Sequence, residues 1–395
     1  MRVLLVHNRY RVEGGEERSV ELQADALRSA DVPHALLERT STSMSRPRAA
    51  VALLRGGTEE DDVSAAARSL DAEVVHVHNM LPAFGPRALE AAREAGAAVV
   101  LHLHNLRLFC AIGVAARDGG PCFRCHHRNT LPGLVLNCRG SVPEAAVYAA
   151  ALARHQPAVF ENVDRFVVPS EYARGQAPLL GVPGDRIDVL PHYLPAGAFA
   201  ARSRAATGSY ALVAARLAPE KGIDTAIKAA ALADVPLRVA GEGPAADKLV
   251  ELANLIGGHV DFIGRQDRAG VERELAGAAM VVMPSRYHEF APYSAIEAMA
   301  AGVPVVASRL GGLPELIGAG RCVPPNDPHA LAARMRNLWT DPARRETDGQ
   351  ALLERARENH GEARYTERLL EIYERVRSRR YCRANASTKR GFEYT

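Results

Sequence analysis

Residues 280–310 read MVVMPSRYHEFAPYSAIEAMAAGVPVVASRL. Met280–Met283 is a short apolar run of strand type, Val303–Ala307 is a second, and Pro292–Ala301 between them has helical composition. Pro292 near the first turn and Gly302 just past the end mark where that helix starts and stops. Two carboxylates flank it, Glu289 before the N-terminus and Glu297 eight positions later inside the helix. A strand that turns into a helix presents free N–H groups and the positive end of the helix dipole to a ligand. A carboxylate repels a bare phosphate at such a place but accepts hydrogen bonds from hydroxyls, as on a sugar and a ribose. That combination is the chemistry of a nucleotide sugar.

Glu289-x7-Glu297 followed by AMAAGVPVVAS resembles the motif of retaining GT-B glycosyltransferases, specifically glycosyltransferase family 4. The resemblance implies two Rossmann-like α/β domains facing a cleft, with Glu289 at the donor sugar and Glu297 at the ribose. It also implies that Phe290, Ala291, Tyr293 and Ser294 border the donor. The chain departs from the family after Glu289, where small, Gly-containing sequence is usual and Phe290-Ala291-Pro292 stands instead. Pro292 has no N–H to offer a phosphate.

A chain of 395 residues fits two domains of ordinary size, and an apolar fraction of 47% fills two cores. Aromatics at 5% make those cores mostly aliphatic. The net charge of +3 speaks against non-specific nucleic-acid binding, and the basic residues near the C-terminus (Arg379, Arg380, Arg383, Lys389, Arg390) read as a solvated tail. No apolar run reaches membrane-span length, so membrane contact is expected to be peripheral at most. The N-terminus enters a strand at once without a signal-peptide pattern. A cytoplasmic protein is therefore expected, with its six cysteines as thiols or metal ligands rather than disulfides.

Arg2–His7 fits a buried parallel strand; Gly14-Gly15 and a helix over Glu16–Ala30 follow, the arrangement of a Rossmann-like first unit. Further strands are expected at His34–Glu38, Val74–His78, Val99–Leu103 and Arg165–Val168. Residues 191–209, rich in Pro, Ala, Gly and Ser, read as an interdomain linker. The alternation restarts with Tyr210–Ala214, Leu237–Ala240 and Val260–Ile263. The expected organisation is an N-terminal domain over 1–190 with an insertion at 106–141, a linker over 191–209 and a C-terminal domain over 210–360. A helix over 361–380 returns to the first domain, and 381–395 is a disordered tail.

Arg216-Leu-Ala-Pro-Glu-Lys221-Gly222 lies where the first strand of the second domain gives way to a helix. Arg grips phosphate with a forked pair of donors and Lys adds a point charge, so together they neutralise a diphosphate without a catalytic metal. An isolated R-x4-K is equally a basic turn capping a helix; in this position it resembles the phosphate-binding pair of the family. The resemblance also places Gly14, Gly15, Gly241 and Gly264 along the donor, and His104 beside the donor sugar. His76-Val-His78 and His102-Leu-His104 each send both imidazoles to one strand face. A metal reading of these four histidines lacks a carboxylate at ligand spacing.

Residues 105–141, NLRLFCAIGVAARDGGPCFRCHHRNTLPGLVLNCRGS, interrupt the α/β pattern and hold Cys110, Cys122, Cys125 and Cys138. Cys122-x2-Cys125 is a knuckle that the two flanking cysteines complete as a four-thiolate structural zinc site; four unpaired loop thiols are the alternative.

The expected function is transfer of a hexose-type sugar from a UDP- or GDP-linked donor to an acceptor hydroxyl, with anomeric retention. The acceptor is a saccharide, a lipid-linked saccharide or a small metabolite. Glu289, His104, Arg216 and Lys221 carry the catalysis. Rival readings are a nucleotide-sugar epimerase or phosphorylase on the same fold, a zinc-dependent nucleic-acid-binding module, and a catalytically dead sugar-binding relative.

Overall fold

The structure, a computed structural model, describes residues 1–10 and 14–390, with side chains described through 378. Apolar runs without polar alternation leave no face for water, so they form parallel strands covered by helices on both sides. The first half contributes β1 (Val3–Arg9), β2 (His34–Thr40), β3 (Val74–Val77), β4 (Ala98–His102), β5 (Ala116–Arg117), β6 (Gly120–Pro121), β7 (Arg165–Val168) and β8 (Ile187–Val189). β5 and β6 pair as a small antiparallel hairpin in the insertion, and the other six form a parallel sheet in the order β2-β1-β3-β4-β7-β8. The second half contributes β9 (Tyr210–Ala214), β10 (Leu237–Ala240), β11 (Val260–Gly264), β12 (Ala278–Met283), β13 (Val305–Ser308) and β14 (Cys322–Val323). These form a second parallel sheet, ordered β11-β10-β9-β12-β13-β14.

Both orders reverse direction once, between β1 and β3 in the first sheet and between β9 and β12 in the second. The loops leaving these strand pairs diverge, opening a crevice at the carboxyl end of each sheet. Two doubly wound domains are thus present, as the sequence implied.

Among the described residues three large apolar clusters form the cores, with a small fourth at Met44, Ala52 and Ala83. One covers a face of the first sheet and another a face of the second. The third runs continuously from β1 through Tyr193 and Leu194 to β12 and on to Tyr365, Leu369 and Tyr373. The segment 191–209, expected as a linker, is a packed strap. His192, Tyr193 and Leu194 are buried, and the Tyr193 hydroxyl donates to the Leu22 carbonyl at 2.5 Å. Of its small residues Ser203 and Ala205 are buried, whereas Ala196, Gly197 and Ala201 are exposed.

The last helix, Glu362–Arg390, lies against the first domain. The Tyr373 hydroxyl meets His76 Nδ1 at 2.8 Å, Arg375 pairs with Asp188 at 3.0 Å and Arg377 with Glu73 at 3.1 Å. The helix continues beyond the expected start of the tail at 381, since no Gly or Pro intervenes before Gly391. Residues 391–395 of that tail lie outside the described residues. Among the described residues no helix is long and apolar enough to cross a membrane.

Candidate active site

After β9 the chain makes a single turn, Pro219–Lys221, closed by Gly222 at φ +66°. A Cβ on Gly222 would stand 2.1 Å from the Pro284 carbonyl oxygen, so only glycine lets this turn press against the loop leaving β12. That contact brings the two sides of the crevice together. Lys221 Nζ donates to Glu289 Oε1 at 2.6 Å and to the Tyr287 hydroxyl at 3.0 Å. Ser285 Oγ donates to the same Glu289 oxygen at 2.9 Å, and the Tyr287 hydroxyl to Oε2 at 2.6 Å. Burial works against the Lys221 charge, but Glu289 and Tyr287 outweigh it and hold the ammonium well above its usual range. Glu289 is 5% exposed. A carboxylate accepts from about four directions, and three are used, leaving one for a hydroxyl.

The sequence reading gave Lys221 and Arg216 together to the diphosphate; in the structure Lys221 forms an ion pair with Glu289. Arg216 forms an ion pair with Glu220, is 47% exposed and lines neither cleft cavity.

Two connected cavities occupy the space between the domains. The smaller, about 420 Å³, is bordered by Lys221, Glu289, Phe290, Ala291 and Ser294 from the second domain and by Glu16, His104 and Asn105 from the first. The larger, about 950 Å³, is bordered by Glu297, Arg18, Arg204, Arg265, Gln266 and Arg268. Gly14, Gly15, Glu17 and Tyr293 border both. Glu17 fixes the glycine turn by accepting from the backbone N–H groups of Tyr10 at 2.9 Å and Gly14 at 2.8 Å at the start of the helix Gly15–Ser29. A Cβ on Gly15 would lie 3.2 Å from the Tyr293 ring, so the glycine lets that ring cross between the cavities. Tyr293 stacks on His192 with centroids 4.5 Å apart and lies under the Arg18 guanidinium at 4.9 Å. Arg18 forms an ion pair with Glu297 across the domain boundary.

Gly241 and Gly264, expected along the donor, border neither cavity. They join two strand ends through a 2.8 Å backbone hydrogen bond, and the residues following Gly264, Arg265 and Gln266, form the wall instead.

The histidines of β3 and β4 form a buried stack. His102 and His104 lie 3.9 Å apart at 10°, His76 and His78 4.8 Å apart at 10°, and His78 Nδ1 meets His104 Nε2 at 2.8 Å. Burial, reinforced by neighbouring imidazoles, holds His78, His102 and His104 well below the usual histidine range. Burial alone takes His76 to about 3. His104 therefore faces the cavity as a neutral ring. Nitrogens of His76, His78 and His102 lie within 4.8 Å of one another, but near-parallel planes keep their in-plane lone pairs from converging on a metal.

Cys110, Cys122, Cys125 and Cys138 border one small cavity of about 20 Å³ in the insertion. All four are free and half-buried.

Sequence reasoning missed Ser285, Tyr287, Arg18, His192 and Glu16. Glu16 borders the smaller cavity, where Asn105 Nδ2 donates to its Oε2 at 3.1 Å. Loss of hydration is the main cause that pushes its carboxyl up to about 7. Its only sequence signal was an acid in the first turn of a helix, which is commonplace.

The family model Glycosyltransferase Family 4 matches residues 13–194, and Glycosyl transferases group 1 matches residues 199–358. The chain belongs to the GT-B glycosyltransferases. It is 31% identical over 293 residues to the D-inositol 3-phosphate glycosyltransferase of Mycolicibacterium gilvum, covering 68% of this chain and 64% of that one. The chain spans from 18% to 64% of the length of the curated relatives it matches. Among solved structures it is similar to the sucrose-phosphate synthase of Thermosynechococcus elongatus, with TM-score 0.71, 19% identity, and 95% of this chain and 98% of that chain covered. It is also similar to Anabaena HepE in complex with UDP-glucose, with TM-score 0.65, 16% identity, and coverage of 96% and 100%. These likenesses establish the GT-B fold; the models place the family boundary at 194–199, inside the packed strap.

Proposed function

We propose that this GT-B glycosyltransferase moves a hexose-type sugar from a nucleoside diphosphate to an acceptor hydroxyl, retaining the anomeric configuration. The observation that carries this reading is the Lys221–Glu289 pair at the crevice of the second sheet, facing Gly14-Gly15 across the cleft. UDP-glucose in HepE, a protein of the same fold, supports a nucleotide-sugar donor. The larger cavity takes the nucleotide, with Glu297 accepting from the ribose after Arg18 releases it. The smaller takes the sugar, with the free acceptor direction of Glu289 receiving a sugar hydroxyl.

Lys221 neutralises the diphosphate as its charge grows in the transition state, joined by Arg216 once it exchanges Glu220 for phosphate. No catalytic metal is required. Glu16 and neutral His104 meet the sugar and acceptor from the first domain. The bond from the anomeric carbon to the phosphate oxygen breaks as the bond to the acceptor oxygen forms on the same face. The acceptor proton passes to the departing phosphate. Cytoplasmic location belongs to the same proposal.

The test is a thermal-shift screen of UDP- and GDP-sugars, followed by NMR of the product made from the stabilising donor. Donor consumption that requires an acceptor, persists without added divalent metal and keeps the anomeric configuration is expected. Inversion would overturn retention. Donor turnover to an epimer or a sugar phosphate without an acceptor hydroxyl would replace transfer by epimerase or phosphorylase chemistry.

A further inference from the structure

We propose that Cys110, Cys122, Cys125 and Cys138 bind one zinc ion, and that this ion fixes a wall of the smaller cavity. The four thiols are presented by separate pieces of backbone. Cys110 closes a turn onto the Leu106 carbonyl at 2.8 Å, and Cys122 leaves the β5–β6 hairpin bonded to the Ala115 carbonyl at 2.7 Å. Cys138 follows the short helix Leu131–Val135 with its N–H on the Gly133 carbonyl at 3.0 Å. Chain segments up to 28 positions apart thus bring all four cysteines to the lining of one cavity of about 20 Å³. About 10–15 Å³ suffices for one water-sized occupant, so a single ion fits.

The surroundings suit a four-thiolate zinc centre, which carries a net charge of about −2. Arg117 and Arg124 border the same cavity, and Arg117 Nη1 stands 3.9 Å from Cys138 Sγ. Among the described residues the four sulfurs do not already stand grouped as metal ligands. Tetrahedral zinc with bonds of about 2.3 Å needs sulfurs about 3.8 Å apart, so loading draws the half-buried thiols inward by side-chain rotation.

The segment needs such a support. Its regular structure is two strands of two residues and one helix of five. That is too little to hold a fixed shape, and metal-binding free energy supplies folding free energy directly. Its shape matters to the cleft. Phe123, inside the Cys122–Cys125 knuckle, meets the His288 ring edge-on at 5.1 Å, one residue before Glu289. Asn326 Nδ2 donates to the Gly119 carbonyl at 2.9 Å from the opposite domain. Gly113 and Val114 border the smaller cavity.

The experiment uses the full chain produced with zinc present and purified without chelator. Elemental analysis is expected to give about one zinc per chain by the four-ligand argument. Cobalt exchanged for zinc is expected to show the intense near-ultraviolet sulfur-to-metal band of a thiolate centre. Cys122→Ser and Cys138→Ser each lose the metal and gain protease cleavage between 109 and 141, whereas Cys322→Ser, in β14 of the other domain, retains the metal and stays uncleaved there. Three outcomes overturn the proposal. In one, wild-type protein in excess zinc stays metal-free with all four thiols open to labelling. In another, metal survives both serine variants, which would place it outside the four cysteines. In the third, a disulfide joins two of the four.

Discussion

Removing the Lys221 ammonium leaves the Glu289 carboxylate buried beside two neutral donors, Ser285 and Tyr287. Lys221→Ala is therefore expected to cost about 3 kcal/mol of stability, as an uncompensated buried charge does. Transfer should fall about a hundredfold with it. Arg216→Ala should cut transfer to a similar degree yet leave the melting temperature unchanged, because its exposed pair with Glu220 contributes little. Equal melting losses in the two variants would show that the pairings are misassigned. Glu16 provides a pH test. Its carboxyl ionises near 7 in the folded chain against 4.5 ordinarily. Between those values the folded state keeps a proton the unfolded state has lost, so stability falls as pH rises from 5 to 8. Glu16→Gln mimics the protonated form. Its melting temperature should exceed wild type at pH 8 and match it at pH 5, and a gain of equal size at both would remove the assignment.

At the scale of elements, Gly222 holds the turn of one crevice loop against the other. Gly222→Ala places a methyl on the Pro284 carbonyl in a left-handed backbone conformation, with an expected cost of about 2 kcal/mol or more. The denaturation midpoint and the donor dissociation constant should both worsen; an unchanged midpoint would mean the loops are not packed this way. The longer strands were legible as Val- and Ala-rich runs, Arg165–Val168 and Tyr210–Ala214 to the residue. Ile187–Val189 and Cys322–Val323 escaped, because two or three residues carry no period and only the neighbouring strand makes them β. The same limit governs the site. Lys221, Glu289 and His104 could be placed because each lies in a motif at a strand end. Arg18, His192 and Glu16 reach the cleft only when two domains close on each other, and no spacing along the chain records that.

At the scale of the whole molecule, the last helix completes a domain whose sheet begins at residue 3. It supplies Tyr365, Leu369, Ile372, Tyr373 and Val376 to the shared apolar cluster and partners for Gln23 and His76. Ending the chain at Gly361 should therefore loosen the first domain more than the second. Hydrogen exchange is expected to rise in β3 and β4 while β9 and β12 stay protected; unchanged protection in β3 and β4 would contradict this. The arrangement also has a consequence in time. A ribosome releases the first sheet early, yet its covering helix emerges only after the entire second domain. At about 5–20 residues per second, the sheet waits roughly 10 to 40 s with the apolar face around Val74, Val100 and Leu22 uncovered. Through that interval the nascent first half is a natural client for a chaperone, and synthesis of the helix Glu362–Arg390 releases it.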